Sequence, residues 1–599
     1  MLLSSHRYLG PMPRSWSKTA LWSLCALLFF LRTTQTAKHA LTWDVFGYYL
    51  YLPATFIHDD PGLKDRAWLD EVMAKYDPSA TLYQLVDGTE GSRVIKYSSG
   101  MAVVYAPWFF IAHVVAEPLG YPADGFSAPY QYIITYGLLL YVLLGLFLLR
   151  KILLQFFDDR LVALLLVIVV LGTNYLHLAA LDGTLLTHPI LFTLYAGLVL
   201  ATIRWHEKPS SLSAIAIGAL AGWITLIRPS EGVCVLIPLL WANADGLASK
   251  WKVIRSRPLH FVPAAAVFVA ATLPQLLYWK SVTGQWIFYS YVNPGEGFDF
   301  LSPHIGDYLM SFRKGWFVYT PLMLLGVLGM ATLWKKARHL FWPIAVFLVI
   351  DLYTAASWSC WWYAGGSFSA RSMVPAYVLL ALPLGYVLNT SWRKWLVPVA
   401  AAFTLLNLFQ TWQWNHGVLS KERMTAGYYA AVFGRTSVPS GATSLLMVER
   451  SFTEEEALMD PQNYVARTLY VNDFNDRPEI SYRLTPDDPF TPGPDIRFSE
   501  ITSKDHAWLR ISAKLFITDS AGLPPVIVCA FHHDGEAYKY KTVTWDLASA
   551  QKNTWVTRSF DYITPVVRST EDNLKVYIWN EHGGTHRVDD LRVEVFEPK

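Results

Sequence analysis

Apolar runs long enough to cross a bilayer recur through the first two-thirds of this chain, and alternate gaps between them carry clusters of Lys and Arg. Backbone polar groups in hydrocarbon must be satisfied within their own segment, so such runs can fold only as helices. The runs predict about eleven spans: 18–36, 130–149, 161–178, 186–204, 211–228, 231–246, 259–281, 316–334, 340–356, 373–389 and 395–412. With 53% hydrophobic and only 16% charged residues over 599 positions, the composition matches a polytopic membrane protein.

The basic clusters set the orientation. Arg150 and Lys151; Arg204 and Lys208; Lys250, Lys252, Arg255 and Arg257; Lys335, Lys336 and Arg338; and Arg393 and Lys394 all fall on one side, with the basic N-terminus. The positive-inside rule makes that side cytoplasmic. The first run, behind Arg7, Arg14 and Lys18, carries no convincing small-residue cleavage site and reads as a retained helix. Residues 101–118 are apolar but interrupted by Pro107 and end at Glu117-Pro118. A crossing there would move every later basic cluster outside, so this segment is expected to be interfacial or re-entrant. The expected organisation is a transmembrane domain over 1–412, with 37–129 as its first outside loop, a partly helical connector over 413–449, and an outside domain over 450–599 of a protein of the cell (inner) membrane.

The last part changes period. Leu509, Ile511, Ala513, Leu515 and Ile517 alternate with Arg510, Ser512 and Lys514, as on a half-buried strand. The segments 574–579 and 591–595 repeat the pattern, and turn-forming clusters such as 519–525 separate the strands, which predicts a β-sandwich. Trp508, Trp545, Trp555 and Trp579 lie among these strands, where a Trp is commonly core but can also face a sugar ring. The net charge of +2 gives no sign of nucleic-acid binding, and Cys25, Cys234, Cys360 and Cys529 are too scattered for a metal site or disulfide framework.

Polar residues near the outer surface are the costly ones and therefore the candidates for function. Asp44 stands in Trp43-Asp44-Val45-Phe46-Gly47-Tyr48-Tyr49, just past the first span, where a carboxylate among rings could take a proton from an acceptor hydroxyl. A helix-capping role is the blander reading. Asp182 occupies a short outside turn beside Gly183, where turn chemistry competes with catalysis, and Asp59 and Asp60 precede Pro61-Gly62 in a turn. Arg228 ends a span on the outside, against the positive-inside rule, and Arg371, Arg313 and Lys314 stand at similar depth. Together they could clamp a lipid-linked phosphate, with snorkelling to headgroups as the alternative. Trp361, Trp362 and the rest of Trp358–Gly366 offer stacking surfaces, Tyr291 lies in a polar and aromatic loop with Tyr289, Asn293, Glu296 and Asp299, and His188 opens a span.

These elements, in this order, resemble the GT-C glycosyltransferases. The first outside loop opens with Asp44 among aromatics. It is followed by Lys96-Tyr97-Ser98-Ser99-Gly100 and Ala106-Pro107-Trp108, by Asp182 in the second outside turn, and by the Arg228-Pro229 span end. The resemblance covers roughly residues 15–412 and is closest to the branch of protein O-mannosyltransferases and lipid A aminoarabinose transferases. The chain departs from that branch at two points: Asp44-Val45 replaces an acidic pair, and Tyr105-Ala106-Pro107 replaces a His-Pro-Pro-type motif.

The resemblance implies a polyprenyl-phosphate sugar donor and inverting transfer to an outside glycan, lipid or protein acceptor. Asp44 would be general base, Asp182 would position the acceptor, and Arg228, Arg371, Arg313 and Lys314 would hold the leaving phosphate. Tyr48, Trp361, Trp362, Tyr291 and His188 would line the substrate site, with membrane lipids as further partners. Some members use a divalent metal, but with no acidic pair here metal-independent chemistry and no cofactor are expected. The C-terminal sandwich resembles carbohydrate-binding jelly rolls. A transporter or flippase of lipid-linked saccharides, or a non-catalytic envelope scaffold, are the competing classes. A transporter should show midplane ionisable residues and repeated halves.

Overall fold

The computed structural model describes residues 15–242, 252, 254–293, 295–362, 366, 368–450, 457–477, 479–516, 523–545 and 553–599. Arg7, Arg14 and Lys250, the loop residues Tyr363, Ala364, Gly365 and Ser367, Ile517, and 519–522 of the expected turn lie outside them. The chain divides into two compact units, Met1–Asn293 with Gly297–Thr443, and Pro294–Glu296 with Ser444–Lys599.

The first unit is helical. After α1 (Trp16–Thr33) the chain forms short helices α2 (Asp44–Tyr49), α3 (Tyr51–Phe56) and α4 (Arg66–Tyr76), then a small hairpin of β1 (Leu85–Asp87) and β2 (Arg93–Ile95). The next helices are α5 (Gly100–Ala116), α6 (Ala128–Leu153), α7 (Asp159–Leu171), α8 (Thr187–Glu207), α9 (Ser211–Ile227) and α10 (Leu236–Leu240). Then come α11 (Phe261–Thr283), α12 (Ile305–Met310), α13 (Trp316–Tyr319), α14 (Leu322–Lys336), α15 (Arg338–Ala356), α16 (Tyr377–Leu388), α17 (Arg393–Asn415) and α18 (Ala426–Val432). Capping side chains explain several starts: Ser15 accepts from Lys18 N, and Asp158 accepts from Arg160 N and Leu161 N.

Among the described residues, six helical stretches are long and apolar enough to cross a membrane. Five coincide with expected spans, namely Ala128–Leu153, Thr187–Glu207, Pro258–Thr283, Arg338–Ala356 and Arg393–Asn415. The chain is a multi-pass membrane protein.

The sixth stretch is Gly100–Leu119, which the charge pattern assigned to the surface instead. Its neighbours are found from contacts at the two ends of the bundle. At one end, Ser15 and Ser17 meet Arg150 and Asp159, with Arg150 Nε 2.8 Å from Ser17 Oγ. At the other, Arg32 Nη1 donates to Leu181 O at 2.7 Å and Gln131 Oε1 accepts from Leu41 N at 2.9 Å. Helix α5 starts at this second end, where a Cβ on Gly100 would come within 2.4 Å of Ile227 N at the close of α9. It also finishes there, with His113 Nδ1 2.5 Å from the Tyr130 hydroxyl in the first turn of α6. Length and apolarity make α5 a candidate span, and its two ends contact the close of α9 and the first turn of α6.

The second unit is a β-sandwich. Its strands are β3 (Tyr464–Asn472), β4 (Tyr482–Leu484), β5 (Asp495–Arg497), β6 (Trp508–Phe516), β7 (Val526–His533), β8 (Glu536–Thr544), β9 (Trp555–Ile563), β10 (Asn573–Trp579) and β11 (His586–Pro598). One antiparallel sheet runs β3-β11-β6-β9, with β4 also on β11, and the other runs β5-β10-β7-β8. Leu509, Ile511 and Val593 from one sheet share a core with Ile527, Phe531, Leu574 and Val576 from the other. Each such side chain, once buried, contributes roughly 1.5–3 kcal/mol. Trp545 is core, its Nε1 donating to Val556 O at 3.1 Å, whereas Trp555 is exposed at 37%.

Candidate active site

The residue before α2 is in an unusual conformation. Trp43 has φ 53 and ψ −126, a region that costs a non-glycine residue of order 1–3 kcal/mol unless its surroundings hold it. Both polar groups of its backbone are taken: Trp43 N donates to Pro78 O at 2.8 Å, and its carbonyl accepts from Gln84 Nε2 at 3.1 Å. Asp44, first residue of α2, turns its carboxylate toward Tyr83, Tyr97 and Arg371. Gly47, one turn on, is tight for a related reason. A Cβ there would lie 2.6 Å from the Tyr97 ring and 2.9 Å from Gln84.

The Asp44 carboxylate is crowded with donors. Oδ1 accepts from the Tyr83 and Tyr97 hydroxyls at 2.8 and 2.7 Å, and Oδ2 from Arg371 Nη2 at 3.0 Å. Burial pushes the carboxyl's pKa up, but the Arg371 charge and the hydrogen bonds from Tyr97, Tyr83 and Arg371 outweigh it, so the group lies below its ordinary range. Tyr48 stacks on Tyr97 with ring centroids 4.3 Å apart, and Tyr291 meets Tyr97 edge-on at 6.3 Å. Lys96, 4% exposed, sets its ammonium 5.1 Å from the Tyr291 ring, 5.7 Å from Tyr83 and 5.8 Å from Tyr97. Ammonium over ring faces is favourable, more so when desolvated.

Arg371 reaches Asp44 across 327 positions of sequence because its loop is clamped on several sides. Phe368 O accepts from Asn174 Nδ2 at 3.2 Å, and Asn174 Oδ1 accepts from the Tyr377 hydroxyl at 2.6 Å. Ser369, at φ 60, pairs with Thr320 at 3.1 Å, and Ser372 pairs with Tyr308. Non-glycine residues at positive φ thus stand beside each member of the ion pair.

Arg228 is placed by the proline that follows it. A residue before proline is driven out of the helical region, so α9 stops at Ile227 and Arg228 is extended at φ −143 and ψ 110. Its guanidinium lies 3.5 Å from His188 Nδ1 and 3.6 Å from Glu231 Oε1, and Glu231 Oε2 accepts from the Tyr195 hydroxyl at 2.7 Å. Arg228 and Arg371 both lie within electrostatic range of His188, which links this group to the Asp44 pair.

The other candidates fall around this centre at different distances. Lys314, 2% exposed, sits 4.1 Å over the Trp414 ring and within electrostatic range of Arg371, and burial with neighbouring Arg313 pushes its ammonium down. Arg313 stacks 3.9 Å over Trp362 and donates to Glu422 O, while Trp361 is buried against Trp362. Asp182 is exposed after a π-helical turn, His177–Leu181, within electrostatic range of Arg32 and His177. The structure therefore joins Asp44, Arg371, Tyr48, Tyr291, His188 and Arg228 into one neighbourhood, with Asp182 on the side of Arg32 and His177.

Sequence reading passed over Tyr83, Tyr97, Lys96 and Glu231 as site residues. Nothing in the sequence marks Tyr83 among 33 tyrosines. Glu231 left a signal: it stands three positions after Arg228 across a proline. Among the described residues, no three His, Cys, Asp or Glu side chains gather as they would around a metal ion.

No known family profile matches the chain, and no curated protein matches it in sequence. Solved structures do. ArnT from Cupriavidus metallidurans in the apo state is similar at a TM-score of 0.39 and 13% identity over 71% of this chain. Arabinosyltransferase EmbB from Mycobacterium smegmatis is similar at 0.34 and 10% over 100% of it. The chain spans 66% of the length of each of these two proteins.

Proposed function

We propose that this protein is a membrane glycosyltransferase that moves a sugar from a polyprenyl-phosphate donor to an acceptor at the outer surface, with inversion. The observation that carries the reading is the Asp44–Arg371 pair, 3.0 Å apart, at the end of the bundle away from the basic loops, with Arg228 and Lys96 nearby. The acceptor oxygen attacks the anomeric carbon as the bond to the phosphate oxygen breaks. The acceptor proton passes to Asp44, and the polyprenyl phosphate leaves with its charge met by Arg371, Arg228 and Lys96.

The carboxylate suits the proton-accepting role in one respect and resists it in another. It is ionised throughout the neutral range, yet each of its donors lowers its proton affinity. A guanidinium carries five N–H donors, so Arg371 can face phosphate and Asp44 together and bring base and donor to one place. Tyr48, Tyr291, Trp361 and Trp362 supply ring faces for the sugar. Lys314 and Arg313 extend the positive region, and Asp182 is the residue proposed to orient the acceptor.

The test is reconstitution of the full chain in liposomes with a panel of radiolabelled polyprenyl-phosphate sugars and envelope extracts as acceptors. Label appearing in an acceptor fraction with wild type and not with Asp44→Asn supports the reading. Equal transfer by the variant sinks the role of Asp44, and no transfer from any donor sinks the enzyme class.

A further inference from the structure

Glu231 is 3% exposed, and the transfer chemistry above leaves it without a task. A carboxylate is not buried at such cost without a partner, and this one has two, one on each oxygen. Oε1 faces Arg228 Nη1 at 3.6 Å, and Oε2 accepts from Tyr195 at 2.7 Å. The Tyr195 ring is fully buried, 5.3 Å from Phe347 on α15, so the hydroxyl is a fixed anchor. Anchored at Oε2 by the Tyr195 hydroxyl, the Glu231 carboxylate presents Oε1 to the guanidinium as an ion-pair partner. His188 Nδ1 borders that guanidinium at 3.5 Å, and 23% of the Arg228 side chain stays exposed. The pattern is a cation paired on one side and still partly reachable from solvent.

We propose that Glu231 is a positioning residue that aims Arg228 at the donor phosphate. This rests on the reading of Arg228 as a phosphate ligand. The proline turn supplies the geometry, since extended Arg228 and the tight turn over Pro229–Val235 bring the residue three positions on back against it.

The alternative role, neutralising a buried cation, predicts the opposite sign in a binding experiment. If Glu231 only cancelled charge, its loss would free positive potential and tighten phosphate binding. If it aims Arg228, its loss weakens binding although the site becomes more positive. The probe is a short-chain polyprenyl phosphate, titrated against the full-length protein in detergent. Glu231→Gln keeps the volume and the hydrogen bond to Tyr195 and should bind about tenfold more weakly. Glu231→Asp keeps the charge and should recover part of the loss. Unchanged or tighter binding by Glu231→Gln overturns the proposal. Should that variant fail to fold, Tyr195→Phe takes its place. It retains the ion pair, removes the anchor, and should weaken binding about threefold, with unchanged binding overturning the proposal. Wild type that binds the probe but transfers no sugar refutes the catalytic reading while leaving this result intact. Wild type that does not bind it refutes both.

Discussion

At the scale of the residue, the question is how one carboxylate can be held by three donors and still act. Replacing Asp44 by Asn keeps the shape and removes both the proton acceptor and the charge facing Arg371, so transfer should fall at least about a hundredfold while thermal unfolding in detergent shifts down without loss of the fold. The pH response follows from the direction of its shift. A carboxyl whose folded pKa lies below its ordinary value of 3.8 contributes stability that is fully present above that value and is lost as pH falls through the lower folded one. Protonation of Asp44 therefore sets no limit on the rate near neutrality. Tyr97→Phe removes a hydrogen bond to the ionised form, which raises that pKa, so the acid limb of the transfer rate should move to higher pH. A limb that stays in place would show that another group sets it.

At the scale of the element, glycines decide how α2 and α5 seat. Gly100→Ala would drive a methyl to within 2.4 Å of the Ile227 backbone, which cannot swing aside as a side chain can. Stability should drop by about 1–3 kcal/mol, read from thermal unfolding, with more loss if α5 lifts off α9. This level is also where sequence reading succeeded and where it stopped. Apolar runs and alternation located most helices and the sandwich, because periodicity is a local property. Asp44 and Arg228 stood out because a charge is expensive where they are. The hydroxyls on Asp44 stayed invisible, since Tyr83 and Tyr97 look like any other interfacial rings until the Trp43 backbone turns the carboxylate toward them. The pairing of Asp44 with Arg371 is likewise tertiary, and no spacing rule encodes it.

At the scale of the whole molecule, the orientation is testable from outside the cell. In a background with Cys360 replaced, since the other three cysteines are buried, Lys38→Cys should react with an impermeant maleimide added to intact cells. Lys151→Cys should react only after the membrane is opened, and the reverse pattern would overturn the charge-based orientation. Asp351 lies inside α15, five residues or about 7–8 Å from its end at the rise of an α-helix. The wide sequence gap between Asp44 and Arg371 has a consequence for how the protein comes into being. A ribosome that has made the first third of the chain has delivered the acid, its tyrosines and the buried lysine, but no guanidinium to face them. The hydrocarbon-bound nascent chain must wait for most of the remaining helices to insert before the two halves of the centre meet, so any premature stop before residue 371 leaves the carboxylate without the guanidinium that faces it.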